Sequence, residues 1–382
     1  MTADELIAQG NLYRSQHQPS QALQCYAQAF LADPNSSAAW NNYGNVLREC
    51  GQPHRSIPFL QHACLLDPKG TTAPFNLAVS YLAMGNLAQG WQQYEHRWNF
   101  EHLAGTLPKF TQPRWTGQNL QGKHILVLGE QGHGDNIQFS RYLYNLHVMG
   151  AEITLLTTLG LQSLFEGSAV INKVITDVGQ AGNFDFWTPL LTIPGILGVT
   201  LENMPQAVSY ITPRTDLYQQ WQQRLGAKNR MRVGIAWSGR QDNWLNEHKG
   251  MSFQQVQTLI EKNPQVQWIN LQIDATAQQQ TQLESQGVMI WPGTINNFAD
   301  TAALLAHCDL VISVDTAVAH LAAAQGRPTW LMLNWFAACW RWFTERSDSP
   351  WYPTMRIFRQ PVQDDWPSVI AKVTQYLNWF KV

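Results

Sequence analysis

Between residues 123 and 380 the chain alternates short apolar runs with longer amphipathic stretches. His124-Ile125-Leu126-Val127-Leu128 leads into a glycine-rich turn, after which Ile137, Phe139, Tyr142 and Leu143 recur at helical spacing. The pattern predicts strands over 124–129, 152–157 and 172–176, with helices near 135–149 and 160–167. A second series starts at Met231, with strands over 231–237, 267–271, 288–291, 309–314 and 329–333. Helices over 252–262, 275–286, 298–307 and 317–325 lie between them. A helix of about 213–226 joins the two series. Val369, Ile370, Val373, Leu377 and Phe380 mark one face of a last helix, opened by Asp365-Trp366-Pro367. Strands alternating with helices argue for βαβ units and parallel sheets. Two such halves in succession predict a ligand cleft between them.

The first hundred residues follow a different beat. Gly10, Gly44 and Ala78 are spaced 34 apart, as are Tyr13, Leu47 and Tyr81, then Ala22, Ser56 and Gly90, then Tyr26, Leu60 and Tyr94. Pro34 and Pro68 end the first two units. Small residues let paired helices approach, aromatics fill between them, and proline ends the second helix. Period and residue type resemble the tetratricopeptide repeat. The third unit decays, with Pro74 at an aromatic position and Arg97 at a small one, so it is expected to cap the stack or dock on the downstream chain. Residues 101–122, with Pro108, Pro113, Gly117 and Gly122 among polar neighbours, read as a linker.

Composition narrows the classes. A length of 382 residues favours two or three compact units. A net charge of -2 gives no electrostatic footprint for nucleic acid or acidic membranes. The five cysteines are scattered and form no CxxC pair, as expected of reduced thiols in a cytoplasmic protein. The most apolar window, Thr329 to Phe343, is interrupted by Asn334 and Arg341, and no integral membrane segment is expected. Most of the 17 tryptophans read as core residues.

Three segments carry candidate chemistry. Gly129, Gly132 and Gly134 form G-x-x-G-x-G, not the dinucleotide G-x-G-x-x-G, and the next strand ends in Leu155-Leu156-Thr157-Thr158 without a ribose-binding carboxylate. A Walker lysine is also missing, so a nicotinamide enzyme is a weak reading. The turn instead brings Asp135, with Gly132, His133 and Gly134, to the predicted cleft; Asp135 is either a helix N-cap or a catalytic carboxylate. In the second segment, strand 309–314 runs into Asp315-Thr316, and His320 comes one helical turn later on the same face. Free N–H groups and the macrodipole make such a helix start an anion site suited to a diphosphate. The third, Gly234-Ile235-Ala236-Trp237-Ser238-Gly239-Arg240, is a strand entering a small-residue turn, and Lys249 precedes the next helix as a point charge for a phosphate. The cleft segments hold no Asp-x-Asp, so cations and N–H groups are expected to neutralise a diphosphate in place of Mg²⁺.

Gly134-Asp135, Lys249, and Asp315-Thr316…His320 followed by Gly326-Arg327-Pro328 resemble the ADP-heptose:lipopolysaccharide heptosyltransferases over roughly residues 123–360. The repeats, Gly90-Trp91…Tyr94-Glu95…Arg97-Trp98 and Asp348-Ser349-Pro350-Trp351-Tyr352-Pro353 are similar to tetratricopeptide-repeat glycosyltransferase-like proteins of that clan. The plan also resembles protein O-linked GlcNAc transferase. The resemblance implies repeats followed by a GT-B pair of Rossmann-like domains. It implies Asp135 as base on an acceptor hydroxyl, Lys249 at the donor phosphates, and Asp315, Thr316 and His320 under diphosphate and sugar. Gln272 falls near the donor ribose, where the family usually has Glu, and Ala317 replaces a common glycine. Ser238 and Arg240 complete the donor side, and Arg341, Arg346 and Trp351 are candidates for closing the donor pocket. The expected organisation is repeats over 1–100, an acceptor-side half with linker over 101–216, a nucleotide-sugar half over 217–362 and a closing helix over 363–382. The expected function is an inverting, metal-independent glycosyltransferase. It uses a nucleotide-sugar co-substrate, no other cofactor, and a protein or glycan acceptor, with a protein partner on the repeats. The alternative is a repeat scaffold with a non-catalytic GT-B domain.

Overall fold

The computed structural model describes residues 1–99, 105–239 and 249–380. The chain divides into two compact units, one of Met1–Phe110, Leu197–Met204 and Asn334–Arg346, the other of Thr111–Ile196, Pro205–Leu333 and Ser347–Val382.

The first unit holds three helical hairpins: α1 (Ala3–Ser15) with α2 (Pro19–Ala32), α3 (Ser37–Glu49) with α4 (Pro53–Leu66), and α5 (Thr72–Ala83) with α6 (Leu87–Tyr94). The 34-residue beat has a steric basis. A Cβ at Gly10 would lie 2.5 Å from the Tyr26 ring, and one at Gly44 would lie 2.8 Å from Leu60 Cγ. Each of the first two repeats therefore joins a glycine to its partner's large side chain. The third hairpin is the shortened one. Arg97, at the expected small position, is fully buried, donating to Glu95 at 2.7 Å and to the Tyr94 carbonyl at 3.2 Å. This hairpin docks on later segments: Trp91 Nε1 donates to the Val199 carbonyl at 3.0 Å, and Trp91 and Tyr94 both meet the Trp340 ring edge-on.

The second unit contains two all-parallel sheets. Strands β1 (His124–Leu128), β2 (Glu152–Leu156), β3 (Lys173–Ile175) and β4 (Phe186–Pro189) are ordered β3-β2-β1-β4. Strands β5 (Arg232–Ala236), β6 (Gln267–Asn270), β7 (Leu310–Val314), β8 (Thr329–Leu333) and β9 (Met355–Arg359) are ordered β6-β5-β7-β8-β9. The helices of the first half are α7 (His133–Phe139), α8 (Leu143–Val148), α9 (Leu159–Phe165) and α10 (Ile193–Ile196). The connecting α11 (Thr215–Leu225) leads to α12 (Phe253–Glu261), α13 (Ala277–Ser285), α14 (Phe298–Leu305), α15 (Ala317–Ala324) and α16 (Trp366–Leu377). Repeats followed by paired parallel-sheet halves are the expected GT-B class. Helix α16 sends Val369, Ile370, Val373 and Leu377 into the core of the second sheet, alongside Val233, Leu310 and Trp330.

Three local expectations are corrected. Strands β4 and β9 have no counterpart in the periodicity. The strand expected over 288–291 reduces to one bridge, Ile269 to Met289, because Gly287 turns at φ +78° just before it and Pro292 comes directly after. The single helix expected over 135–149 is two helices around a 3-10 turn at Ser140–Tyr142, where the Ser140 hydroxyl donates to the Ile137 carbonyl at 2.9 Å.

Candidate active site

The glycine turn after β1 is closed by Asn136. Its Nδ2 donates to the carbonyls of Gly132 at 2.8 Å and Glu130 at 3.0 Å. A side chain at Gly129 would strike Asn136 Oδ1 and come within 2.8 Å of the Leu156 carbonyl, so only glycine fits. The N-cap of α7 is Gly132, and Asp135 is the third residue of the helix. Its Oδ2 accepts the Gly132 N–H at 2.9 Å, so Asp135 caps by reaching back one turn and is not itself the N-cap. His133 turns to Phe298 of α14, ring to ring at 4.9 Å, and borders Gly160 of α9. A cleft of about 430 Å³ opens beside Gly160, lined by Gln162 and Ser163 of α9, by Glu166 just after it and by Asn296 and Asn297 ahead of α14.

In the second half, β7 delivers Asp315 and Thr316 to the start of α15. Thr316 is the N-cap, with extended backbone and no side-chain capping bond; its Oγ1 shares a hydrogen bond of 2.9 Å with Ser313 Oγ. His320 is buried one turn on. Its Nδ1 lies 2.8 Å from Tyr352 Oη and its Nε2 lies 3.9 Å from Asp315 Oδ1. Helices α7 and α15 touch here, since a Cβ on Gly134 would stand 2.8 Å from His320 Cδ2. The structure thus brings the two motifs into contact.

The turn after β5 joins the same group. Gln272 Oε1 accepts the N–H groups of Trp237 and Ser238, both at 3.0 Å, while its Nε2 donates to the Ser238 carbonyl and hydroxyl and to Asp274. The Gln272 amide is therefore engaged in holding the turn. Gly239 borders the Thr316 methyl. Gly250 lies on Trp237 and Ser238, and the Met251 N–H donates to the Trp237 carbonyl at 2.9 Å, which puts Lys249 beside the turn. Arg240 lies outside the described residues. Of the residues suggested for closing the pocket, Arg341 and Arg346 belong to the repeat unit, where they stack on Trp340 and Phe343. Trp351 is fully buried core.

Sequence reasoning gave no site role to Arg141, Tyr210 or Tyr352. Arg141 is buried, donates to the Trp351 carbonyl at 2.6 Å and to Tyr210 Oη at 3.0 Å, and stands 4.8 Å over each of the Tyr210 and Tyr352 rings. Burial opposes its charge, but the surrounding tyrosines hold the guanidinium pKa above its ordinary value. Among the described residues no group of three or more His, Cys, Asp or Glu is arranged to hold a metal ion.

Comparison with known proteins places these motifs. The profile "Glycosyltransferase family 9 (heptosyltransferase)" matches residues 274–332, a span that includes Asp274, Asp315, Thr316 and His320. A tetratricopeptide repeat profile matches residues 25–57. The chain carries tetratricopeptide repeats and a glycosyltransferase family 9 domain. Protein FlbA of Caulobacter vibrioides is 26% identical, over 96% of this chain and 71% of FlbA. In fold, the family 9 domain is similar to a glycosyl transferase family 9 structure from Veillonella parvula. That match has a TM-score of 0.50 at 12% identity and covers 69% of this chain and 99% of the other. An O-GlcNAc transferase of Thermobaculum terrenum aligns over 99% of this chain and 92% of its own at 12% identity, with a TM-score of 0.31. The family 9 profile spans Asp315, Thr316 and His320; Asp135, Lys249 and Tyr352 lie outside it. Among the described residues no helix is long and apolar enough to cross a membrane.

Proposed function

We propose that this glycosyltransferase is inverting and metal-independent, and moves a sugar from a nucleotide-sugar to a hydroxyl of a protein or glycan acceptor. The observation that carries the reading is the contact of Gly134 with His320, by which the helices that begin beside Asp135 and Asp315-Thr316 pack against one another. The diphosphate of the donor sits on the N–H groups opening α15, with Lys249 as a nearby cation and Thr316 and His320 as further donors. The turn held by Gln272 carries Ser238 to the nucleotide side, with Asp315 at the sugar. Asp135 takes the proton from the acceptor hydroxyl as its oxygen bonds to the anomeric carbon. The bond from that carbon to the phosphate oxygen breaks, and the nucleoside diphosphate leaves as an anion against Lys249 and the helix start. The cleft along α9, with Gln162, Ser163 and Asn297 in its lining, gives the acceptor its approach. Five free thiols fit a cytoplasmic enzyme.

A scaffold reading draws on one observation: the Asp135 carboxylate is also a capping group. Asp135→Asn separates the two, because its amide oxygen still accepts the Gly132 N–H. For an enzyme, transfer falls by about 10²–10⁴-fold with donor affinity retained, and activity survives EDTA. An unchanged rate in this variant removes Asp135 as base. Inactivity of the wild type with every nucleotide-sugar, while the repeats still capture a partner, favours the scaffold.

A further inference from the structure

One group of buried polar side chains has no part in that reading, the Arg141–Tyr352 pair behind His320. We propose that Arg141 and Tyr352 are positioning residues that fix the tautomer of His320, with the Tyr352 hydroxyl donating to Nδ1 and the imidazole proton held on Nε2. As a role in donor binding, this rests on the nucleotide-sugar reading above.

Three observations assign the proton. The Arg141 guanidinium stands 4.8 Å over the Tyr352 ring, and a cation on the π face draws electron density from the phenol, making its hydroxyl a stronger donor and a weaker acceptor. The partner of that hydroxyl is Nδ1, at 2.8 Å. On the far edge, Nε2 faces Asp315 Oδ1 at 3.9 Å. A lone pair on Nε2 would be repelled by the carboxylate, whereas an N–H is attracted. Turning the ring over would put Cδ2 where Nδ1 stands and forfeit the bond to Tyr352, so the edges keep these places.

The consequence is a neutral imidazole that presents a hydrogen-bond donor, not a lone pair, toward the start of α15. A second-layer partner commonly fixes which nitrogen of a histidine is protonated. The pair also spans the two halves of the unit. Arg141 comes just after α7 in the first half and reaches the Trp351 carbonyl, while Tyr352 and His320 belong to the second. The donor at His320 is therefore complete only when both halves are together.

The test is long-range proton–nitrogen correlation on full-length protein labelled with ¹⁵N-histidine, the His320 signal being assigned with His320→Gln. The proposal expects a pyrrole-type Nε2 and a pyridine-type Nδ1 in the unliganded wild type. Tyr352→Phe, which keeps the ring under Arg141, yields mixed tautomers and weakens binding of ADP, GDP or UDP by about tenfold. Arg141→Lys keeps the charge but loses the planar stack, and gives a smaller change in the same direction. A pyrrole-type Nδ1 in the wild type, or nitrogen shifts unmoved in Tyr352→Phe, overturns the proposal. If none of the three nucleotides binds, the nucleotide-sugar reading fails, while the spectrum of the wild type still decides the tautomer.

Discussion

Replacing Gly134 by alanine tests the contact on which the proposed function rests. The added methyl would lie 2.8 Å from His320 Cδ2 and 3.4 Å from Nε2, where ordinary contact begins near 3.4 Å. One group must therefore yield by about 0.6 Å, the difference between the two distances. The imidazole has little room, being buried and tied to Tyr352 at 2.8 Å. Overpacking of this kind costs about 1–3 kcal/mol, and stretching the Tyr352 bond adds about 0.5–1.5 kcal/mol. Alanine's better helix propensity returns less than about 1 kcal/mol. The net expectation is a fall of about 2–10 °C in the melting temperature of the α/β unit. Transfer falls more steeply, because a displacement approaching 1 Å at a reacting geometry reduces rate by about 10². Gly160→Ala is the matched control. Its methyl would meet only His133 and Phe298 atoms at 3.7 Å or beyond, inside a helix that alanine favours, so it is neutral or stabilising. Differential scanning calorimetry with donor titration reads both variants. If Gly134→Ala melts and binds like the wild type, helices α7 and α15 do not approach as described and the proposed function loses the contact that supports it.

Two further predictions concern the repeat unit and the buried thiols. Glu49 is buried between Arg14, whose Nε donates to it at 2.7 Å, and Arg48 at 3.5 Å; burial pushes the Arg48 pKa down and Glu49 opposes this. Glu49→Ala leaves two guanidiniums facing each other, and urea unfolding should show a loss of about 3 kcal/mol; a loss below about 1 kcal/mol contradicts the account. Burial raises the Cys50 and Cys308 thiol pKa values to about 12, because it penalises the thiolate. At pH 8 roughly one molecule in ten thousand carries either thiolate, so a maleimide pulse followed by peptide mass mapping should leave both unmodified until the protein is unfolded. Labelling of either at the rate of a free thiol removes that protection.

The repeats and both βαβ series were legible because each rests on local spacing: 34 residues in one case, short apolar runs in the other. Strand β4 escaped because Phe186-Trp187-Thr188-Pro189 is short and ends in proline, which an edge strand tolerates but a periodicity search rejects. Strand β9 is also at an edge, and Pro350 and Pro353 precede it. Asp135, Asp315, Thr316 and His320 lie in short motifs that run from the end of a strand into the next helix, where local sequence exposes them. Arg141 and Tyr352 lie 211 residues apart and meet only through the pairing of the two halves, which no local pattern records. Gln272 was located correctly next to β6, but the use of its amide to hold the β5 turn depends on the pairing of β5 with β6.

The repeat unit is not a single stretch of chain. Residues 334–346, between β8 and β9, place Phe336 edge-on to His17 and Trp340 against Trp91 and Tyr94, and the Ala337 N–H donates to the Glu49 carbonyl. Two excursions from the glycosyltransferase portion have thus been built into the repeats. A recombination event that exchanged the first hundred codons alone would separate those aromatic side chains from the surfaces that cover them. The array has accordingly lost the independence of a detachable module: a new set of repeats is inherited usefully only with the two internal loops that match it, so the repeats and the loops that cover them evolve under joint constraint.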